Sequence, residues 1–490
     1  MESLFKLVDE FFKSINVVVD NMLMFDIFFG AIEGTKMPFV VAILIMAGIF
    51  LTFKMGFVNL RMFSHSLAIV RGKYKTKEDK GIISPFQSLA TALSATVGIG
   101  NIAAVSIAIT IGGAGAAFWM IMAGFLGMTL KFTEVTLSLK YREFLPDGTI
   151  MGGGMEYLSR GLADKGMAKT GKYMAMVFAF FMILGALGAG NTFQISQALP
   201  IVQGQVSFFK DFPWVFGLIM AGITGLVIIG GIKRIAHVAE KIVPLMVIFY
   251  LIMVFWVLGT YFTAIPDAFA LIFKEAFTTS AVAGGIFGAM AQGFQRAVFS
   301  NEAGLGSAGI AHSAARVKYP VRQGLVSLYE PFIDTVVVCT MTALVIILTG
   351  SYLGGTEVLD AAIAAKQGAV ITSTAFGSVV SWFPTVLGFA IFMFAFSTMI
   401  SWAYYGERAW VYLFGSKTSI IYKVIFLGFI VIATIANTET MVEFSSVLFL
   451  ALAIPNLFGL IIMSGDVRRM LKEYMSKLKS GELDREAIRD

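Results

Sequence analysis

Apolar residues run through this chain in long blocks, and polar residues collect between them. The blocks do not alternate as half-buried strands would. A stretch of about 20 apolar residues spans the hydrocarbon core of a bilayer as a helix. The pattern predicts an all-α integral membrane protein with about 11 transmembrane helices, at 37–53, 85–111, 115–139, 173–195, 214–231, 242–262, 278–295, 323–349, 383–404, 420–436 and 442–463. The piece 268–276 is too short to cross and reads as a re-entrant or interfacial helix. Residues 1–36 mix Glu2, Lys6, Asp9, Glu10, Lys13, Asp20 and Asp26 with apolar positions. That suits an amphipathic interfacial segment better than an export signal. Residues 464–490 form a charged helical tail.

Charge orients the spans. With the amino terminus outside, the inner loops and tail hold 7, 6, 3, 4, 3 and 7 Lys and Arg residues, counting Arg296 with them. Outside fall only Lys6, Lys13, Lys36, Lys210, Lys274 and Lys366, and Lys131 lies within a span. This asymmetry places the carboxyl terminus in the cytoplasm of a cell-membrane protein. Of 490 residues, 57% are hydrophobic and 14% charged, so the net charge of +6 reflects inner loops and not nucleic-acid binding. The single cysteine, Cys339, excludes a disulfide within the chain and reads as a small buried apolar residue.

Eleven spans divide as one extra helix (37–53) plus two fives. The first half covers 84–263, the short piece 264–277 follows, and the second half covers 278–463. Five is odd, so the halves insert with opposite orientation. Each half opens on a glycine-interrupted span: Gly98-Ile99-Gly100 in one, Gly284-Gly285-Ile286-Phe287-Gly288 in the other. Broken helices at matching places in inverted halves point to a transporter site, although small residues also let membrane helices pack closely. At the first break, N–H groups opening the second half-helix suit a carboxylate. Asn101 adds a neutral donor and acceptor, and freed carbonyls around Ser94 to Val97 suit a monovalent cation such as sodium. Gly98 to Ala103 also fits G-x-G-x-x-A, but no βαβ unit surrounds it.

Val97-Gly98-Ile99-Gly100-Asn101 resembles the unwound first core helix of sodium-coupled amino-acid symporters with the LeuT-type fold. Two further blocks resemble the alanine or glycine:cation (sodium) symporter family: Gly112-Gly113-Ala114-Gly115-Ala116-Ala117-Phe118-Trp119-Met120, and Gly293-Phe294-Gln295-Arg296-Ala297-Val298-Phe299-Ser300-Asn301-Glu302-Ala303-Gly304-Leu305-Gly306. Ala114, Ala117 and Ile121 depart from the usual form, at a turn and at packing positions. The resemblance covers essentially the whole chain and implies a 5+5 inverted-repeat core with broken first and sixth core helices. It implies that the Ile99 and Gly100 N–H groups hold the substrate carboxylate, with Gly98 and Asn101 beside them. The Thr96 carbonyl and the backbone at Gly284, Gly285, Phe287 and Gly288 would take the ammonium. Ser397 and Thr398, with the carbonyls of Ser94 and Val97, would form the sodium shell. A Ser-Thr pair in a span otherwise bonds its own helix carbonyls.

Gln194 and Gln292 either touch substrate or bond neighbouring helices. Trp402, one turn after Thr398, either caps a small pocket or anchors at the interface, and Phe287 either gates or packs. Ionisable residues at membrane depth are functional suspects. Lys131 and Glu134 lie three apart and can pair. Glu330 and Asp334 share a helix face and offer an ion path or an inner gate with Arg296 or Arg408, while Glu407-Arg408 reads as a gate-side pair. His65, His237 and His312 fall in inner loops as solvated or interfacial residues. No enzyme motif occurs. The expected function is import of a small neutral amino acid, alanine or glycine, with sodium by alternating access, by a monomer in the lipid bilayer. The alternatives are a proton-coupled or sodium-independent carrier of the same fold, or a channel.

Overall fold

The structure is a computed structural model that describes residues 10, 12–14, 16–17, 20–21, 23–31, 36–146, 148–278 and 285–488. In chain order its principal helices are α1 (Phe39–Lys54), α2 (Pro85–Thr96), α3 (Val105–Gly112), α4 (Gly115–Lys140), α5 (Ala168–Leu187), α6 (Phe193–Gln205), α7 (Pro213–Ile228), α8 (Gly231–Thr260) and α9 (Ile265–Ala276). Then come α10 (Gly285–Asn301), α11 (Ala308–His312), α12 (Pro320–Val326), α13 (Thr340–Thr349), α14 (Glu357–Ala364), α15 (Gly368–Gly377), α16 (Phe383–Phe414), α17 (Ser419–Ile432), α18 (Thr438–Ala451) and α19 (Ala453–Lys479). A two-stranded hairpin pairs Glu143–Phe144 with Ile150–Met151 in the loop after α4.

Six helical stretches among the described residues are long and apolar enough to cross a membrane, or seven if the bent pair Pro85–Thr96 and Gly100–Gly112 counts as one. The other expected spans correspond to α1, α7, α10 and α17, of 14 to 17 residues. Several helices outrun their apolar blocks. The α5–α6 stretch continues to Gln205, α8 starts at Gly231, α16 reaches Phe414 and α19 carries the last span into the charged tail. Hydropathy marks only the part of a helix in hydrocarbon, and backbone bonding continues beyond it. Wide π-turns interrupt the α5–α6 stretch at Gly188–Thr192 and the α12–α13 stretch at Phe332–Cys339.

Two features depart from the pattern reading. The paired helices α14 and α15 follow α13. Gly368 opens α15 so close to the broken span that an added Cβ would lie 2.1 Å from the Ala103 carbonyl. Thr372 donates to the Ile102 carbonyl at 2.9 Å. This hairpin therefore covers α3. The amino-terminal segment also packs on protein where its residues are described. Phe12 is 2% exposed, with its ring 4.6 Å from Phe444, and Asn16 donates to the Thr440 carbonyl at 3.3 Å.

Candidate substrate and cation site

Ser84 caps α2 in a reciprocal pair with Gln87, and Pro85 takes the first helical position. The Val97 amide makes the last bond of that helix, to the Leu93 carbonyl at 2.7 Å. The chain then turns, and the two half-helices meet at 49°. Asn101 replaces the lost backbone bonding. Its Oδ1 accepts from the Gly98 amide at 2.8 Å, and its Nδ2 donates to the Asp334 carbonyl at 3.0 Å and carboxylate at 2.6 Å. The Asn101 amide N–H turns back to the Gly98 carbonyl at 3.2 Å. Among the described residues, the Ile99 amide takes no backbone acceptor, and the carbonyls of Ser94, Ala95 and Val97 accept no hydrogen bond outside regular helix. All residues from Ser94 to Ala104 are buried.

Two side chains aim oxygen at this break. Thr398 Oγ1 on α16 and Gln194 Oε1 on α6 are both buried without a partner. A carbon added at Gly98 would lie 2.2 Å from the first and 3.7 Å from the second. Two helices thus bring unsatisfied acceptor oxygens to Gly98, next in the chain to the carbonyls of the break. Hard cations take such oxygen ligands, and with no carboxylate among them the set suits a single positive charge. Among the described residues no group of three His, Cys, Asp or Glu side chains is placed to hold a metal ion.

The other expected site residues divide. Ser397 turns its hydroxyl to the Phe394 carbonyl at 3.0 Å, while its own carbonyl takes the Ser94 hydroxyl at 2.7 Å. Ser397 therefore ties α2 to α16, and Thr398 presents its hydroxyl to the break. Thr96 returns its hydroxyl to its own helix at 3.3 Å. Gly100 abuts Ser300. Asn101 uses both ends of its amide on protein, so in this conformation it braces the turn. Gln292 lies against Gly112, at the far end of α3 from the break, with Oε1 unpartnered. Trp402 is 1% exposed and donates its indole N–H to Glu302 at 2.9 Å, so it is no interfacial anchor.

Of the second glycine cluster, the described residues show only the part from Gly285 onward. Gly284 lies outside the described residues. Gly285 begins α10 with φ +62°, Gly288 lies buried within it, and α10 continues to Asn301. Phe287 is 37% exposed and packs edge-on against Phe28. The chain leaves this helix at Glu302–Ser307, where Glu302, Gly304 and Gly306 have φ of +59°, +88° and +78°. Asn301 Oδ1 accepts from the Ala303 amide at 2.9 Å. At Gly304 a side chain would strike Leu44. The signal was present in Gly304-Leu305-Gly306, which repeats the spacing of Gly98-Ile99-Gly100. A non-glycine residue with positive φ stores strain that surrounding contacts must hold. Glu302 is so held, by Trp402 and by the Ser307 hydroxyl.

Buried charges pair across helices. Lys131 binds Glu330 at 3.1 Å, not Glu134, whose carboxylate accepts from Asn456 at 2.9 Å. Glu330 also binds His312, which is fully buried and bonded to Gln323 at 2.7 Å, so the solvated reading of His312 fails. Asp334 joins Asn101, Ser300 and Thr335 instead of an arginine. Arg296 bonds Ser446 at 3.1 Å, and Arg408 bonds Glu407 at 3.2 Å. Helix periodicity cannot reveal these partners, because they come from distant spans.

Comparison with known proteins follows the same line. A sequence model described as the sodium:alanine symporter family matches residues 22–488. The sodium/alanine symporter AgcS of Methanococcus maripaludis is 38% identical over 89% of this chain and 94% of its own. The probable sodium/glutamine symporter GlnT of Bacillus subtilis is 32% identical over 90% of this chain and 89% of its own. A solved sodium-coupled sialic acid symporter is 13% identical, covering 88% of this chain and 85% of its own, with a TM-score of 0.47. The match over nearly the full length shows that the chain belongs to the sodium:alanine symporter family.

Proposed function

We propose that the protein imports a small neutral amino acid, alanine or glycine, together with sodium, by alternating access around the break at Gly98. The observation that carries this reading is the set of unsatisfied oxygens there: Thr398 Oγ1, Gln194 Oε1 and the carbonyls that precede Gly98. Sodium sits among Thr398 and the carbonyls of Ser94 and Val97. The substrate carboxylate meets the Ile99 and Gly100 amides at the start of the outer half-helix, where the helix dipole favours negative charge. Little room remains beside Gly98, which favours a small side chain. The protein crosses the cell membrane eleven times as a monomer, with its amino terminus outside. The partner of the span-two break is Glu302–Ser307.

Inward movement of one sodium charge yields ~2.3 kcal/mol per 100 mV of membrane potential. Uptake of labelled alanine into proteoliposomes, with external sodium replaced by choline, tests the proposal. Sodium-dependent accumulation against a gradient is expected. Uptake unchanged in choline would refute sodium coupling, and uptake that never exceeds equilibrium would indicate a channel.

A further inference from the structure

Three segments are tied together where α2 begins: the loop 71–84 that leads into it, the strip 313–319 that leads into α12, and the tail beyond α19. Every residue of α2 from 88 to 96 is buried, so its first turns can move only if loop 71–84 moves with them. Loop and strip bridge at Lys80 with Val317 and at Ile83 with Ala315. Arg142 clasps both, donating to the carbonyls of Lys80, Ser313, Ala315 and Val317 at 2.6 to 3.1 Å.

The tail adds a second tie from the other side. After α19 ends at Lys479, Gly481 turns the chain with φ +70° into the short helix Glu482–Glu486. Leu483 is buried. The Glu486 carboxylate accepts from Lys318 Nζ at 3.1 Å and from the Tyr319 hydroxyl at 2.9 Å. Asp484 pairs with Lys73 at 3.5 Å, and the Ile488 amide donates to the Lys75 carbonyl at 2.8 Å. An acidic segment thus lies across a basic loop that holds Arg71, Lys73, Lys75, Lys77 and Lys80. The other charges here have partners in turn: Glu78 meets Lys318 at 2.9 Å, Asp79 meets Arg322 at 3.2 Å, and Lys477 meets Glu482.

These ties are of the kind that salt loosens. The Lys73 and Asp484 side chains are 60% and 49% exposed, and those of Lys318 and Glu486 are 27% and 26% exposed. Such pairs are weak singly, and the screening length falls from about 30 Å at 0.01 M salt to about 3 Å at 1 M. Among the described residues nothing lies within 4 Å of where a side chain at Gly481 would sit, so the turn has room to pivot. We propose that residues 482–488 are a strap that holds loop 71–84 and delays the displacement of α2 that opens the inner side, and that rising ionic strength on that side releases it. This inference rests on the reading of the protein as an alternating-access carrier with its tail inside.

Uptake of labelled alanine into proteoliposomes under a fixed sodium gradient tests it. The internal solution holds choline chloride at about 0.01 M or about 0.5 M, balanced with sucrose. The wild type should run about three- to tenfold faster at high internal salt, the range that two partly exposed ion pairs can supply. A chain stopped after Ser480 should run fast at both. Asp484→Asn combined with Glu486→Gln keeps Leu483 in place and should match the shortened chain, which covers the case in which shortening impairs folding. A wild type indifferent to internal salt, or a neutralised chain with the wild-type response, would overturn the strap. Absence of alanine uptake in every chain would overturn the carrier reading.

A second measurement follows the strap without transport. Spin labels are placed on Lys77→Cys and Arg485→Cys, two exposed positions, while the native Cys339 is buried. Pulsed dipolar spectroscopy should give a short, narrow distance distribution at about 0.01 M salt and a longer, broader one at about 0.5 M. The same distribution at both would overturn release by salt.

Discussion

Replacing Gly98 by alanine adds one carbon where the break, α6 and α16 meet. That carbon would lie 2.2 Å from Thr398 Oγ1 and 3.4 Å from Thr398 Cβ. Gly98 does not have positive φ, so the backbone tolerates alanine and the effect is one of space alone. Relief requires a shift of about 1 Å or a rotation that carries the hydroxyl away from the break, and overpacking of this kind costs roughly 1–3 kcal/mol. If that strain falls on the bound state, sodium and alanine bind about 5- to 150-fold more weakly, at 1.4 kcal/mol per tenfold. The assay is the sodium dependence of alanine uptake in proteoliposomes, with thermal unfolding in detergent as a control for folding. Gly98→Ala should raise the sodium concentration for half-maximal uptake at least about fivefold, with unfolding shifted only slightly. Thr398→Ala in the same chain should relieve the clash but leave sodium affinity low. Sodium and alanine dependences within twofold of wild type in Gly98→Ala would refute this placement of the site.

Thr398→Val keeps the shape and removes the unpartnered hydroxyl; sodium affinity should fall about tenfold or more while Thr398→Ser stays near wild type, as removal of one charge-assisted contact implies. Asn101→Ala strips partners from the Gly98 amide and the Asp334 carboxylate, at about 1–3 kcal/mol for each stranded group. Calorimetry should show a clear loss of stability, and an unchanged unfolding temperature would show that Asn101 does not brace the turn. Lys131→Met leaves Glu330 buried without its ammonium partner, a change of about 3–5 kcal/mol by comparison with other broken buried pairs; normal expression and stability would contradict the pairing. In the loop between α1 and α2, burial, helped by the nearby charges of Lys73 and Arg322, holds His65 down at about 4. Unfolded His65 binds a proton below about 6.5, so its contribution is present above that pH and is lost as pH falls towards 4. Melting curves from pH 7 to pH 4.5 should fall more steeply for wild type than for His65→Gln, and parallel curves would count against it.

Much of this protein is legible along the chain because a bilayer imposes a length and a polarity on every crossing segment. The apolar blocks mark α4, α8 and α16, and the paired glycines before Asn101 mark the place where α2 ends. The glycines from Gly285 onward lie at the start of α10, and further positive φ values fall later at Glu302, Gly304 and Gly306, a stretch that composition alone did not single out. A glycine run reports that a helix can open or pack closely, and its neighbours decide which. The α14–α15 hairpin escaped notice because neither helix is long enough to cross, and its role depends on Gly368 meeting Ala103. The partners of buried polar groups were also beyond reach: Asn101 meets Asp334, Lys131 meets Glu330, and Thr398 faces Gly98 across hundreds of residues. The sequence by itself determined which segments are apolar enough to enter a membrane and that one of them unwinds at Gly98, since hydropathy and backbone freedom are local properties. Only the tertiary structure decided which oxygens remain unsatisfied there, because a polar group's partner in hydrocarbon is set by which helices pack together.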